Sequence, residues 1–126
     1  MDVKKHHHSG TNRRQAGALV EQQAERYLTE HGLIPCDRNQ YSRMGEIDLI
    51  MWDHTTLVFI EVRHRSNNDF LSAAESITPA KQKRIIRTAS RYIQSQFGNC
   101  PPDCRFDVVV ATGSPPRLEW LKAAFM

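Results

Sequence analysis

Apolar residues recur along this chain in two rhythms. Val20, Ala24, Tyr27 and Leu28 fall at helical spacing, which lays one apolar stripe along a helix. Asn12 and Gln15 form a capping-box pattern ahead of them and Gly32 supplies a stop, so a helix is expected over residues 12–31. Residues 33–43 are less decisive, and Pro35 permits at most an edge strand there. Strands are expected over 46–52 and 57–63, with Asp53, His54, Thr55 and Thr56 as a hairpin turn. Both strands are apolar on both faces, the mark of a covered central position. Residues 64–77 read as a polar loop followed by small residues. Thr78 then caps a second helix with Pro79 at its first position, and Gly98 closes it. In that helix Gln82, Ile86, Ala89 and Ile93 make one ridge, while Arg84, Arg87 and Arg91 lie on another face. Residues 100–104 form a linker, 106–111 a third apolar strand, and 118–125 a short amphipathic tail. This order predicts an α/β layer architecture with helices on a small mixed sheet.

The chain has 126 residues, 40% hydrophobic and 25% charged, with a mean hydropathy of −0.55. These values describe one globular domain, expected over 12–126, behind a flexible segment at 1–11 that is either native or tag-derived. His6–His8 are therefore set aside. No apolar run approaches the ~20 residues of a membrane span, and 1–11 lacks the apolar core of a signal peptide. A cytoplasmic location and no membrane partner are the expectation. Three cysteines do not suggest a disulfide framework. Net charge is +3, and its distribution says more than its size. Arg63, Arg65, Lys81, Lys83, Arg84, Arg87 and Arg91 share their stretch with only two acids, Asp69 and Glu75. Such a patch is the footprint of a polyanion binder, or else a solvated helix face.

The hairpin register gives the candidate chemistry. A symmetric turn facing Asp53 with Thr56 pairs Asp48 with Glu61 and Glu46 with Arg63. Strand alternation then puts all four on one face. Directly opposed like charges destabilise a sheet, and buried carboxylates carry a desolvation cost. A divalent cation removes both problems, carboxylate oxygens being the usual ligands of Mg2+. The alternative is structural: Arg63 bridges Glu46 and Glu61 while Asp48 reaches solvent.

An acid, a hairpin and then Glu-x-basic, here Asp48 and Glu61-Val62-Arg63, resembles the PD-(D/E)xK nuclease superfamily. GEIDLI (45–50), LVFIEVRHR (57–65), SAAESITPAKQKRI (72–85) and RFDVV (105–109) together resemble the bacterial YraN family of uncharacterised proteins. That family is similar to archaeal Holliday-junction resolvases. The resemblance covers residues 15–125 and implies a restriction-endonuclease-like αβββαβ core and metal-dependent phosphodiester cleavage. It makes Asp48 and Glu61 metal-binding acids, Glu21 the extra acid of resolvases, and Gln82 a polar helix residue near the site. Arg63 stands at the superfamily's lysine position. Arginine stays protonated in proteins and cannot be a general base, though it can stabilise charge on a phosphoryl group.

The functional expectation is an endonuclease using Mg2+ or Mn2+, acting on branched or otherwise structured DNA. Asp48, Glu61 and Glu21 would hold the metal and Arg63 steady the phosphate. Arg65, Lys81, Lys83, Arg84, Arg87 and Arg91 would bind backbone phosphates. The resemblance also implies a homodimer. The rival is a non-catalytic nucleic-acid-binding module that keeps the nuclease fold, favoured by Arg63. A third reading, an interaction subunit, needs an exposed apolar patch on 118–125. His64 reads as solvated, Cys36, Cys100 and Cys104 as a weak match to zinc spacing, Trp52 and Trp120 as packing residues, and Asp107 as a partner of Arg105 or Arg117.

Overall fold

The three most apolar segments lie side by side in the middle of one sheet. The structure, a computed structural model, describes residues 9–43 and 45–125. Its elements are α1 (Ser9–Glu30), β1 (Ile34–Ser42), β2 (Gly45–Asp53), β3 (Thr56–Arg65), α2 (Phe70–Glu75), α3 (Pro79–Phe97), β4 (Asp103–Thr112) and β5 (Arg117–Phe125). The strands run in the order β1-β2-β3-β4-β5. Only β3 and β4 are parallel; the other neighbours are antiparallel. The parallel pair requires a crossover, which α2 and α3 supply.

Helices cover both faces, which is why β2, β3 and β4 are apolar on both sides. Under α3, Ile85, Ala89 and Tyr92 pack on Ile50, Leu57, Phe59, Phe106 and Val108. Phe59 stacks on Phe106 with centroids 5.4 Å apart. Under α1, Ala24 and Leu28 pack on Leu49, Met51, Val58, Ile60 and Val109. Each such aliphatic side chain, fully withdrawn from water, contributes ~1.5–3 kcal/mol.

The hairpin register agrees with the expected one, from Asp53↔Thr56 to Leu49↔Ile60. The α3 caps agree too: the Thr78 side chain accepts from Lys81 N at 3.2 Å, and Gly98 ends the helix at φ 57°. Residues 34–42 form the edge strand that Pro35 allowed, with a register shift between Pro35 and Asp37.

Three expectations need correcting. The first helix begins at Ser9, so Asn12 lies inside it and is not its cap. Of the segment expected to be flexible, 1–8 lie outside the described residues, while Ser9, Gly10 and Thr11 are helical. Residues 70–75, read as loop, form α2, capped by Asp69 accepting from Ser72 N at 2.9 Å. The tail is β5, a strand antiparallel to β4. It is pinned by fully buried Asp107, which accepts from Arg105 Nε at 3.0 Å, Trp120 Nε1 at 2.9 Å and Ala123 N at 2.9 Å. Asp107 thus takes Arg105 as its partner, and Trp120 packs against the core under α1.

Candidate functional site

The β2–β3 ladder stops at Leu49↔Ile60, one residue short of the two acids. Beyond it Val62 N donates to Asp48 Oδ2 at 2.8 Å. The Asp48 side chain therefore takes the amide of the neighbouring strand. Strict alternation also fails here. Leu49 and Met51 face α1, yet Ile47 joins the cluster under α3. The hairpin opens at this end into a cavity of about 360 Å3.

Glu21, Glu46, Asp48 and Glu61 line that cavity, with Arg63, Lys81 and Arg84. Glu21 comes from α1, Glu46 and Asp48 from β2, Glu61 and Arg63 from β3, and the remaining cations from α3. One carboxylate oxygen each of Glu21, Glu46 and Asp48 lies within 4.8 Å of the others. Asn39 of β1 holds two of these acids together: its Nδ2 donates to Glu21 Oε1 at 3.1 Å and to Glu46 Oε2 at 3.3 Å. Its backbone is left-handed, at φ 51°, a conformation that Asn tolerates better than most residues.

Asp48 and Glu61 are 8% and 6% exposed. Burial, reinforced by the Glu61 charge, pushes the Asp48 carboxyl up to about 9. Burial also raises Glu61, against the pull of Arg63 and Lys81. Arg63 Nη2 lies 3.1 Å from Glu61 Oε2, but without hydrogen-bond alignment. Glu61 Oε1, Arg63 Nε and Arg63 Nη2 are buried with no hydrogen-bond partner. Orphaned buried groups of this kind are rare and call for a ligand, an ion or water.

Lys81 adds a second anomaly. It stands in the first turn of α3, which has no acid there; a cation at that end opposes the helix dipole at a cost of about 0.3–1 kcal/mol. Its attraction to Glu61 offsets that cost. The cavity thus brings together hard oxygen donors suited to Mg2+ or Mn2+ and cations suited to a phosphate.

Among the expected site residues, Glu21, Asp48, Glu61, Arg63, Lys81 and Arg84 come together in this cavity. Gln82 does not line it and donates instead to Ile77 O at 3.1 Å. Arg65 turns back to the His64 carbonyl at 2.8 Å. Lys83 and Arg87 are exposed, and Arg91 lines a separate cavity between β1 and α3. Two participants were missed. Glu46, read as a partner of Arg63, joins Glu21 and Asp48, while Glu61 takes Arg63. Asn39 carried no signal because its strand was indistinct. Cys36, Cys100 and Cys104 are exposed free thiols.

The chain belongs to the uncharacterised protein family UPF0102, which matches residues 20–111. This is the family of YraN proteins that the sequence motifs resemble. A UPF0102 protein of Chromohalobacter salexigens is 47% identical over 119 residues, covering 93% of this chain and 95% of the relative. One of Cupriavidus pinatubonensis is 52% identical over 110 residues, covering 86% and 84%. One of Dichelobacter nodosus is 49% identical over 108 residues, covering 84% and 85%. Among the described residues no helix is long and apolar enough to cross a membrane.

Proposed function

We propose that the protein is a metal-dependent endonuclease of the restriction-endonuclease-like class, cleaving branched or otherwise structured DNA in the cytoplasm. The observation that carries this reading is the meeting of two sets of charges in one cavity: Glu21, Glu46 and Asp48 within 4.8 Å of one another, in a lining shared with Arg63, Lys81 and Arg84. The order α1, β1–β3, α3, β4 is compatible with the αβββαβ core of that class.

Glu21, Glu46 and Asp48 would hold Mg2+ or Mn2+, with Glu61 beside them. Such an ion, when bound, neutralises phosphoryl charge and lowers the pKa of a bound water. The protein's own groups do the rest. Arg63, with unpaired N–H groups at Nε and Nη2, donates to a non-bridging phosphate oxygen. Lys81 and Arg84 hold the strand. Water would add to phosphorus in line and lose its proton to solvent, the P–O bond to the sugar would break, and the leaving oxygen would take a proton from solvent to become a hydroxyl. Arg63 cannot accept the proton of that water.

The second reading is a nucleic-acid-binding module without catalysis, favoured by arginine at the lysine position. The interaction-subunit reading loses its feature, because Leu118, Trp120, Leu121 and Phe125 are packed against the two cores. A homodimer remains part of the proposal and is checked by sedimentation. Purified protein on a four-way junction, with and without Mn2+, beside Asp48→Ala, separates the first two readings. Cleavage that needs both Mn2+ and Asp48 supports the nuclease; junction binding without cleavage supports the module.

A further inference from the structure

Glu21, Asn39 and Glu46 form a bridge with open space on both sides. The cavity with the cations lies on one side. On the other lies a groove of about 410 Å3 lined by Gly17, Ala18, Glu21, Asn39, Tyr41 and Glu46. We infer that this groove is a nucleobase subsite, in which Tyr41 stacks on the unpaired base next to the phosphate held by Arg63, Lys81 and Arg84. This inference rests on the nucleic-acid reading above and narrows it to substrates with an unpaired nucleotide at the site.

Charge divides the two spaces. Three cations join the four carboxylates that line the cavity, whereas among the described residues the groove is lined by two carboxylates and no cation. A phosphate is favoured in the first and repelled from the second. A neutral base is not repelled, and the exocyclic amino groups of adenine, cytosine and guanine are donors that a carboxylate accepts. The two spaces share Glu21 and Glu46, so a phosphate and its adjoining base would lie on opposite sides of one bridge.

Shape points the same way. Tyr41 is 71% exposed and is paired across the ladder with Glu46. The Glu46 charge is close enough to raise the Tyr41 hydroxyl's pKa, which places the ring beside the acidic bridge. Gly17 and Ala18 also line the groove, and among the described residues a Cβ at Gly17 would meet nothing within 4 Å. A lone exposed aromatic is ordinary. One that lines a groove together with two small residues, and whose groove shares Glu21 and Glu46 with a basic cavity, can serve as a stacking platform. A base can reach it only if it has left the duplex stack.

The test uses the full chain in EDTA, so that no cleavage occurs. The probes are a forked duplex with one unpaired 2-aminopurine at the branch and the same sequence fully paired. Anisotropy gives affinity and 2-aminopurine quenching reports stacking. The parent should prefer the fork and quench its probe. Tyr41→Phe, which keeps the ring, should do the same. Tyr41→Leu should lose the quench and bind the fork about 5- to 150-fold more weakly, the range for one base–aromatic stack, bringing the fork-to-duplex ratio near unity. Thermal melting confirms that each variant is folded. Equal fork affinity and quenching in parent and Tyr41→Leu overturns the subsite and leaves the proposed function standing. No anisotropy change with either probe, in EDTA and again with Mn2+ present, overturns both. Tyr41-dependent stacking without any cleavage in Mn2+ supports the subsite and removes only the nuclease.

Discussion

Asp48 takes the backbone N–H of Val62 at 2.8 Å, at the point where the β2–β3 ladder has ended. One hydrogen bond therefore satisfies an amide freed by the splaying strands and fixes a carboxylate in the opening. The amide favours the charged form, but burial and Glu61 outweigh it.

Stability should consequently fall as pH rises. The unfolded chain releases the Asp48 proton near the ordinary carboxylate value of 3.8, while the folded chain keeps it to about 9. Between these values the unfolded state binds fewer protons, so the slope of stability against pH is negative, at most about 1.4 kcal/mol per pH unit from this group. Glu61, also raised, adds in the same direction. Urea unfolding of Asp48→Asn at pH 5 and pH 8 should show a flatter dependence than the parent and a gain at pH 8. An unchanged slope would mean that Asp48 titrates normally in the fold.

Asn39 should govern cation affinity without touching the cation. Its amide bridges Glu21 and Glu46, and removal of such orienting partners costs ~10–100-fold in metal affinity. Asn39→Gly is the clean variant, because glycine adopts φ 51° without strain. Calorimetric titration with Mn2+ should show weaker binding in Asn39→Gly and in Glu46→Gln. Parent-like affinity in both would separate Glu46 from the metal centre.

The hairpin was legible because Asp53 and Thr56 fix a tight turn and every later pair follows from it, as far as Leu49 and Ile60. Thr78, Pro79 and Gly98 marked α3 because caps are local chemistry. The sequence did not reveal what happens where local rules stop. The ladder ends before Asp48, so the pairing that suggested a site is not made by the backbone. Leu118, Leu121 and Phe125 have helical spacing, yet they belong to a strand. Strand alternation puts Leu118 and Trp120 on the α1 face and Leu121 and Phe125 on the α3 face. Glu46 could be placed beside the acids, but its choice of Glu21 over Arg63 depends on Asn39, whose strand has no clear periodicity.

Asp107 should be purely structural. Asp107→Ala strands Arg105, Trp120 Nε1 and Ala123 N together. Breaking a buried pair in this way costs about 3–5 kcal/mol. Chemical denaturation should show that loss, while Mn2+ affinity of the folded fraction stays at the parent value. A stable Asp107→Ala would show that β5 is held by its ladder alone.

The basic residues of α3 should divide by position. Lys81 and Arg84 line the cavity; Lys83 and Arg87 are exposed outside it. A bare carboxylate cluster repels a phosphate backbone, so the cations that share its cavity have the most to offset. Each phosphate contact on duplex DNA contributes ~0.9 to the slope of log affinity against log salt. Lys81→Ala with Arg84→Ala should therefore weaken binding of all sequences alike and flatten that slope by roughly 2 units. Lys83→Ala with Arg87→Ala should flatten it less. Asp48→Asn should keep the parent's binding in EDTA at neutral pH, because the raised Asp48 carboxyl is already uncharged there and no cation is removed. Affinities measured from low to high salt decide the matter. If the two double variants lose the same slope, contact is spread along the helix and is not focused at the cavity. If neither loses any, α3 presents only a solvated face, and the cavity's cations do not hold a strand.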